Sequence, residues 1–235
     1  MTQTGIIGHR GAAGLALENS HDSLRAALEL SMDGIEFDVR KTKDDRLVVM
    51  HDTHTGRIAK QKVLVSMKTL AELQAITLYN GQHILSFEEV CKLIGDRMMM
   101  VIDIKDNGSA DEILRVLKQF PKAKVSFTSL KYGELQKLRE MLPDVPIYVR
   151  DILNPFEVVH TARRMHATGI TLNMWLMNPL TYWLAKRRHL NVFVYTVNNV
   201  WLYRLLRTVY PGIVVCSDHP QRFVKRSGQQ QAKPA

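Results

Sequence analysis

Apolar positions recur along the chain in runs of strand length, with stretches of helical spacing between them. In "GIEFDVR" (Gly34–Arg40), Ile35, Phe37 and Val39 alternate with Glu36, Asp38 and Arg40. That two-residue period is the signature of a β-strand with one apolar face. "MMMVIDIK" repeats it, with Asp103 and Lys105 on the face opposite Ile102 and Ile104. Strands are predicted near Gly5–His9, Gly34–Arg40, Met98–Lys105, Lys124–Phe127, Pro146–Arg150, Gly169–Asn173, Val192–Val197 and Gly212–Ser217. Helical patterns fill Asn19–Ser31, Ser86–Ile94, Ser109–Gln119, Gly133–Met141, Pro155–His166, Pro179–Arg188 and Val200–Val209. Start signals support several of them: Asn19 before "SHDSL", Ser86 before "FEEV", and the first-turn prolines Pro155 and Pro179.

Strand and helix alternate eight times with no Ser/Gly-rich linker between halves. Such alternation predicts an α/β fold with a parallel sheet, and eight units closing on themselves make a (β/α)8 TIM barrel. An open doubly wound sheet is the alternative. "RLVVMHD" (Arg46–Asp52) departs from the pattern as an extra strand-like run close behind the second strand. Thr53–Leu85 follows with little regular pattern beyond a short helix near Leu70–Ala75, an excursion between strand 2 and helix 2 where loops commonly build sites. Residues 1–221 are expected to form one barrel domain, and 222–235 a basic, flexible tail.

Composition changes this picture little. With 235 residues, 46% hydrophobic and 23% charged, the chain has ample material for a globular core. Cys91 and Cys216 have no metal-type spacing and read as buried thiols of a reducing compartment. The first eleven residues lack a signal-peptide pattern, and Leu190–Tyr210 is broken by Asn198, Asn199 and Arg204. A cytoplasmic protein without a transmembrane segment is therefore expected. The net charge of +9 owes four units to the tail and more to "KRR" at Lys186–Arg188. It reads as a solvated basic face, with no nucleic-acid partner expected.

The chemistry concentrates at predicted strand ends. His9 and Arg10 end the first strand, Glu36 and Asp38 the second, and Asp103 and Lys105 the third, and a barrel brings such ends to one mouth. Three converging carboxylates repel one another unless a cation intervenes, and an all-oxygen donor set favours a hard divalent ion such as Mg²⁺ or Ca²⁺. An ion-pair network with Arg10 and Lys105 is the other way to balance them. His9 and His51 are the natural acid/base pair, and Arg10 and Lys105 suit an anionic substrate. Neither GxGxxG nor GxxxxGK[ST] occurs, which argues against a nucleotide cofactor. The set fits phosphoryl chemistry.

"GHRGAAGLALENS", "GIEFDVRKTKDDRLVVMHD", "VIDIK", "YTVNN" and "VVCSDHP" occur in that order. Over nearly the whole chain this resembles the glycerophosphodiester phosphodiesterase family. The resemblance implies a TIM barrel and metal-dependent hydrolysis of a glycerophosphodiester, a small-molecule substrate, to sn-glycerol 3-phosphate and an alcohol. It implies His9 and His51 as acid and base, Arg10 and Lys105 on the phosphate, and Glu36, Asp38 and Asp103 on the metal. Glu18 and Tyr195 fall at the site periphery, and Asn19 is expected mainly to cap the first helix. Trp175 is either a peripheral wall or, the favoured reading, a core residue. Asp103 stands where the family usually has Glu, and "THTGRIAK" replaces the usual continuation after His51. The changes around "PGIVVCSDHP" are expected to touch packing and Asp218 more than the central chemistry. A lysophospholipid-cleaving phosphodiesterase and a metal-dependent barrel lyase or isomerase acting on a phosphosugar are the alternatives. The residues name neither the headgroup nor an oligomeric state.

Overall fold

The structure is a computed structural model that describes residues 5–151 and 154–225. Eight parallel strands close into a barrel: β1 (Ile6–Gly8), β2 (Gly34–Lys41), β4 (Met99–Ile104), β5 (Val125–Ser129), β6 (Ile147–Asp151), β7 (Gly169–Asn173), β8 (Asn191–Tyr195) and β9 (Val214–Ser217). Each neighbours the next in this order, and β1 pairs with both β2 and β9, which closes the ring. The expected (β/α)8 architecture is therefore present, and the open doubly wound sheet is excluded. β3 (Leu47–Val49) lies antiparallel on β2, with Val39 opposite Val49 and Lys41 opposite Leu47.

The alternation in β2 and β4 works as the pattern demanded. Ile35, Phe37 and Val39 pack in the layer between barrel and helices with Ile102 and Ile104. Helices α1 (His21–Leu28), α3 (Phe87–Ile94), α4 (Ala110–Leu117), α5 (Tyr132–Met141), α6 (Pro155–Arg164), α7 (Pro179–Arg187) and α8 (Val200–Val209) surround the strands. Ile7, Val101, Phe193 and Cys216 form a separate cluster with Tyr148 and Tyr195 packed on it. Cys91 and Cys216 are free buried thiols.

The excursion folds as a unit. Short 3-10 turns at Thr55–Arg57 and Val65–Met67 and the helix α2 (Leu70–Gln74) pack on a small core of their own, including Val48, Met50, Ile58, Leu73 and Ile84. Burying such a cluster offsets the entropy of ordering the segment. At the other end of the chain, Phe223 and Val224 pack against the main core, and Lys225 accepts the Ser31 N–H through its carbonyl at 3.0 Å. Residues 226–235, the rest of the expected tail, lie outside the described residues. Among the described residues no helix is long and apolar enough to cross a membrane.

Asn19 does not cap α1. Ser20 takes the cap, accepting the Ser23 N–H, while the Ser23 hydroxyl accepts the Ser20 N–H in return. Asn19 instead sits at φ +54°, a conformation that asparagine tolerates better than most residues. That turn releases its side chain toward the barrel mouth.

Candidate active site

Strand register sets the geometry. Asp38 pairs directly with Asp103 across β2 and β4, one level nearer the mouth than Glu36 opposite Val101. All three carboxylates are buried, and each offers an oxygen within 4.8 Å of the others. Three cations face them. Lys105 Nζ bridges Asp38 Oδ1 at 2.8 Å and Asp103 Oδ2 at 2.5 Å. Arg150, from β6, donates through Nη1 to the same Asp103 oxygen, and Arg10 Nε lies 3.4 Å from Asp38 Oδ2. Asn19 donates from Nδ2 to Asp38 Oδ2 at 2.8 Å.

The three acids have different electrostatic situations. Asp38 is held well below the usual carboxylate range: burial opposes ionisation, but Lys105 and Arg10 outweigh it. Glu36 goes the other way and is pushed up to about 7, by burial first and then by the charge of Asp38. It accepts the Arg10 backbone N–H at 2.9 Å, and His9 Nε2 is 4.0 Å away. Lys105 is raised, since Asp103 and Asp38 overcome the cost of its burial.

The loop after β1 presents His9 and Arg10. Arg10 takes φ +50° and Gly11 φ +86°, a tight left-handed turn that aims the Arg10 N–H at Glu36. His9 Nδ1 hydrogen-bonds Asp218 Oδ1 at 2.6 Å, and Asp218 in turn accepts from Asn198 Nδ2 at 2.7 Å. Burial disfavours charge on His9, yet the bond to Asp218 and the charge of Glu36 outweigh it and raise the histidine. His51 is lowered, mainly by burial, with Asp38 and Asp52 only partly offsetting it. Its Nδ1 bonds Asp52 Oδ1 at 2.7 Å, and Arg57 Nε holds the other Asp52 oxygen at 2.7 Å. Arg57 also pairs with Glu18, donating from Nη2 at 2.8 Å, and Glu18 accepts from Arg10 Nη1 at 2.7 Å. The excursion is thereby tied to the loop after β1.

All the expected central residues converge at the mouth: His9, Arg10, Glu36, Asp38, His51, Asp103 and Lys105. Glu18 flanks them, and Tyr195 ends β8 with its hydroxyl accepting from Arg150 Nε at 3.0 Å. Trp175 is not a core residue. It is 83% exposed on the 3-10 turn Met174–Leu176 just beyond β7, because that turn ends the strand before the side chain can reach the packed layer. Asp218, expected to lie apart from the central chemistry, is the partner of His9. Arg150 and Arg57 escaped the sequence reading, although Arg150 shares the period-two face of β6 with Tyr148 at a strand end.

The donor set suits a hard divalent cation. It is all oxygen and buried, and one member, Glu36, is raised to about 7 by burial first and then by the charge of Asp38, whereas the unpartnered Arg10 Nε–H is a donor that suits an anion. Asp103 carries both of its cations, Lys105 and Arg150, on one oxygen.

A parallel eight-stranded barrel with acids, cations and two histidines at its C-terminal mouth defines a barrel enzyme for an anionic small molecule. Residues 9–222 match the Glycerophosphoryl diester phosphodiesterase family. YhdW of Bacillus subtilis (strain 168) is 30% identical, over 94% of this chain and 96% of its own. A glycerophosphodiester phosphodiesterase of Caldanaerobacter subterraneus is 27% identical, over 94% and 97%. Among solved structures, an Oleispira antarctica phosphodiesterase in complex with the product sn-glycerol-3-phosphate superposes with a TM-score of 0.86. It is 23% identical, over 93% of this chain and 94% of that one. The chain belongs to the glycerophosphoryl diester phosphodiesterase family and is a phosphoric diester hydrolase.

Proposed function

We propose that the protein hydrolyses glycerophosphodiesters to sn-glycerol 3-phosphate and an alcohol, with His9 and His51 as the acid/base pair. The observation that carries this reading is that the two histidines stand at one mouth with opposite shifts, each oriented by its own carboxylate. His51, lowered and thus neutral near pH 7, is suited to take the proton of the nucleophile at Nε2, because Nδ1 is engaged with Asp52. His9, raised and bonded through Nδ1 to Asp218, is suited to give a proton from Nε2 to the leaving alkoxide. Arg10 and Lys105 supply fixed charge for the phosphoryl oxygens.

Glu36 and Asp38, with Asp103, would hold a divalent cation, Mg²⁺ or Ca²⁺, which would add Lewis-acid stabilisation of phosphoryl charge. The name of the Caldanaerobacter relative and the product bound to the Oleispira phosphodiesterase support the choice of substrate.

A coupled glycerol 3-phosphate assay on a panel of glycerophosphodiesters, with and without EDTA, tests the reading. The expected result is stoichiometric product that chelation abolishes and Mg²⁺ or Ca²⁺ restores. His51→Asn and His9→Asn should each lower kcat by roughly two to four orders of magnitude with an unchanged melting temperature. Near-normal turnover in either variant refutes the assignment of roles.

A further inference from the structure

The chain has three tryptophans, and all three are exposed: Trp175 at 83%, Trp183 at 49% and Trp201 at 76%. Indole is a large side chain that folded proteins cover to a high degree, so three uncovered ones on adjacent elements mark an interaction surface. Trp183 lies on α7 and Trp201 on α8, and Trp175 on the turn between β7 and α7. Aliphatic and aromatic neighbours extend the patch: Phe156 on α6, Leu180 on α7, and Leu205 and Val209 on α8 are all about half exposed.

Charge singles out the same region. Residues 1–151 hold 21 Lys/Arg and 21 Asp/Glu, whereas residues 152–235 hold 11 and 2. The whole net charge of +9 therefore belongs to the last part of the chain. Between residues 152 and 217 the single acid is Glu157. Arg163, Arg164, Lys186, Arg187, Arg188 and Arg204 are exposed there, and none forms an ion pair among the described residues. Instead, Arg187 lies 4.7 Å from the Trp183 ring and Arg204 lies 5.2 Å from the Trp201 ring. Along α7 the outer stripe reads Leu180, Trp183, Arg187, and a surface groove lined by Arg163, Trp183, Arg187 and Arg188 runs between α6 and α7.

We propose that the outer face of α6, α7 and α8 docks on an anionic phospholipid bilayer. Indole and guanidinium together are the pairing that settles at the headgroup level, where the ring sits among acyl-chain ends and the cation meets lipid phosphate. A nucleic acid would satisfy the cations but give Leu180, Leu205 and Val209 nothing to bury against. A second copy of the chain would have to place two surfaces of the same sign together, which like-charge repulsion opposes. The patch runs from the first turns of these helices, with Phe156, Leu180 and Trp201, to their last turns, with Arg163, Arg187 and Val209, so docking would lay the side of the barrel on the lipid surface while the chain stays peripheral.

The tryptophans make the test direct, since tryptophan emission, excited apart from that of the tyrosines, comes only from this side of the molecule. The whole protein is titrated with vesicles of phosphatidylcholine alone and of phosphatidylcholine with phosphatidylglycerol, and binding is also read by co-sedimentation. A blue shift and co-sedimentation are expected with the anionic vesicles only, weakening as salt is raised. R187E/R188E and W183A/W201A should each weaken partitioning by about tenfold or more. Both should still hydrolyse the soluble diester bis(p-nitrophenyl) phosphate at the wild-type rate. Absence of binding to anionic vesicles, equal binding to neutral ones, or undiminished binding by both folded variants would overturn the proposal. So would a blue shift that follows protein concentration without vesicles, or one that follows an oligonucleotide duplex in place of vesicles.

Discussion

Arg150 and Asp218 show what a single residue contributes to this site and why neither role is legible locally. Arg150 reaches Asp103 from 47 positions along the chain, and Asp218 reaches His9 from 209. The sequence marks both only as polar residues at strand ends, because the partner depends on strand register and barrel closure. His9, Arg10, Glu36, Asp38, His51, Asp103 and Lys105 were legible because each interrupts or ends an apolar run. In sequence Asn19 reads as a cap as readily as Ser20, whose partner Ser23 stands at the third helical position. Replacing Arg150 by Met leaves Asp103 with Lys105 alone. Losing one member of a buried ion pair typically costs about 3–5 kcal/mol, so thermal unfolding of Arg150→Met should show a clear loss. The same variant should gain more melting temperature from added Mg²⁺ or Ca²⁺ than wild type does, since its cluster carries one more uncompensated negative charge. With His51 as base and His9 as acid, as proposed, kcat should have a pH window, the base working above its lowered pKa and the acid below its raised one. Activity should therefore plateau around pH 6.5, where an unperturbed histidine titrates, with His51 governing the acid limb and His9 the alkaline limb. A profile in which His51→Asn keeps the acid limb contradicts that order.

At the scale of elements, the loop from β1 to α1 and the excursion after β3 carry the site, and regular strands hold them at fixed spacing. A Cβ on Gly11, at φ +86°, would lie 2.6 Å from the Ser23 hydroxyl and 2.7 Å from its backbone carbon. Ser23 also donates from its hydroxyl to the Arg10 carbonyl at 3.0 Å, so the first turn of α1 and the loop after β1 are one construction. Gly11→Ala is expected to displace both, lowering kcat/KM at least about tenfold and stability by more than about 1 kcal/mol, as kinetics and denaturant melts would show. Strand positions were readable because the period-two alternation in β2 and β4 is strict. The fold of the excursion was not, since its small core is gathered from scattered residues between Val48 and Ile84 with no period to announce it.

For the whole molecule, a divalent cation held by the acids as proposed would make stability depend on pH and metal together. Glu36 is raised from 4.5 to about 7 on folding, so between those values the folded chain binds the extra proton. Metal-free protein should therefore lose stability through this group as pH rises from about 5 to 7, the window set by its unfolded and folded values. A bound divalent cation should favour the ionised carboxylate and flatten or reverse that slope. Melting temperatures across this range, with EDTA and with Mg²⁺ or Ca²⁺, check the prediction, and identical slopes in both conditions would contradict it.

The His9–Asp218 bond joins the strand that opens the barrel to the one that completes it. During synthesis, all eight strands must therefore emerge from the ribosome before this histidine meets the carboxylate that orients it. An unfinished chain holds His9, Arg10, Glu36, Asp38, His51, Asp103 and Lys105 yet lacks the carboxylate that orients His9. If His9 has the role proposed for it, turnover should appear only with closure of the barrel and can serve as a clock for the last event of assembly.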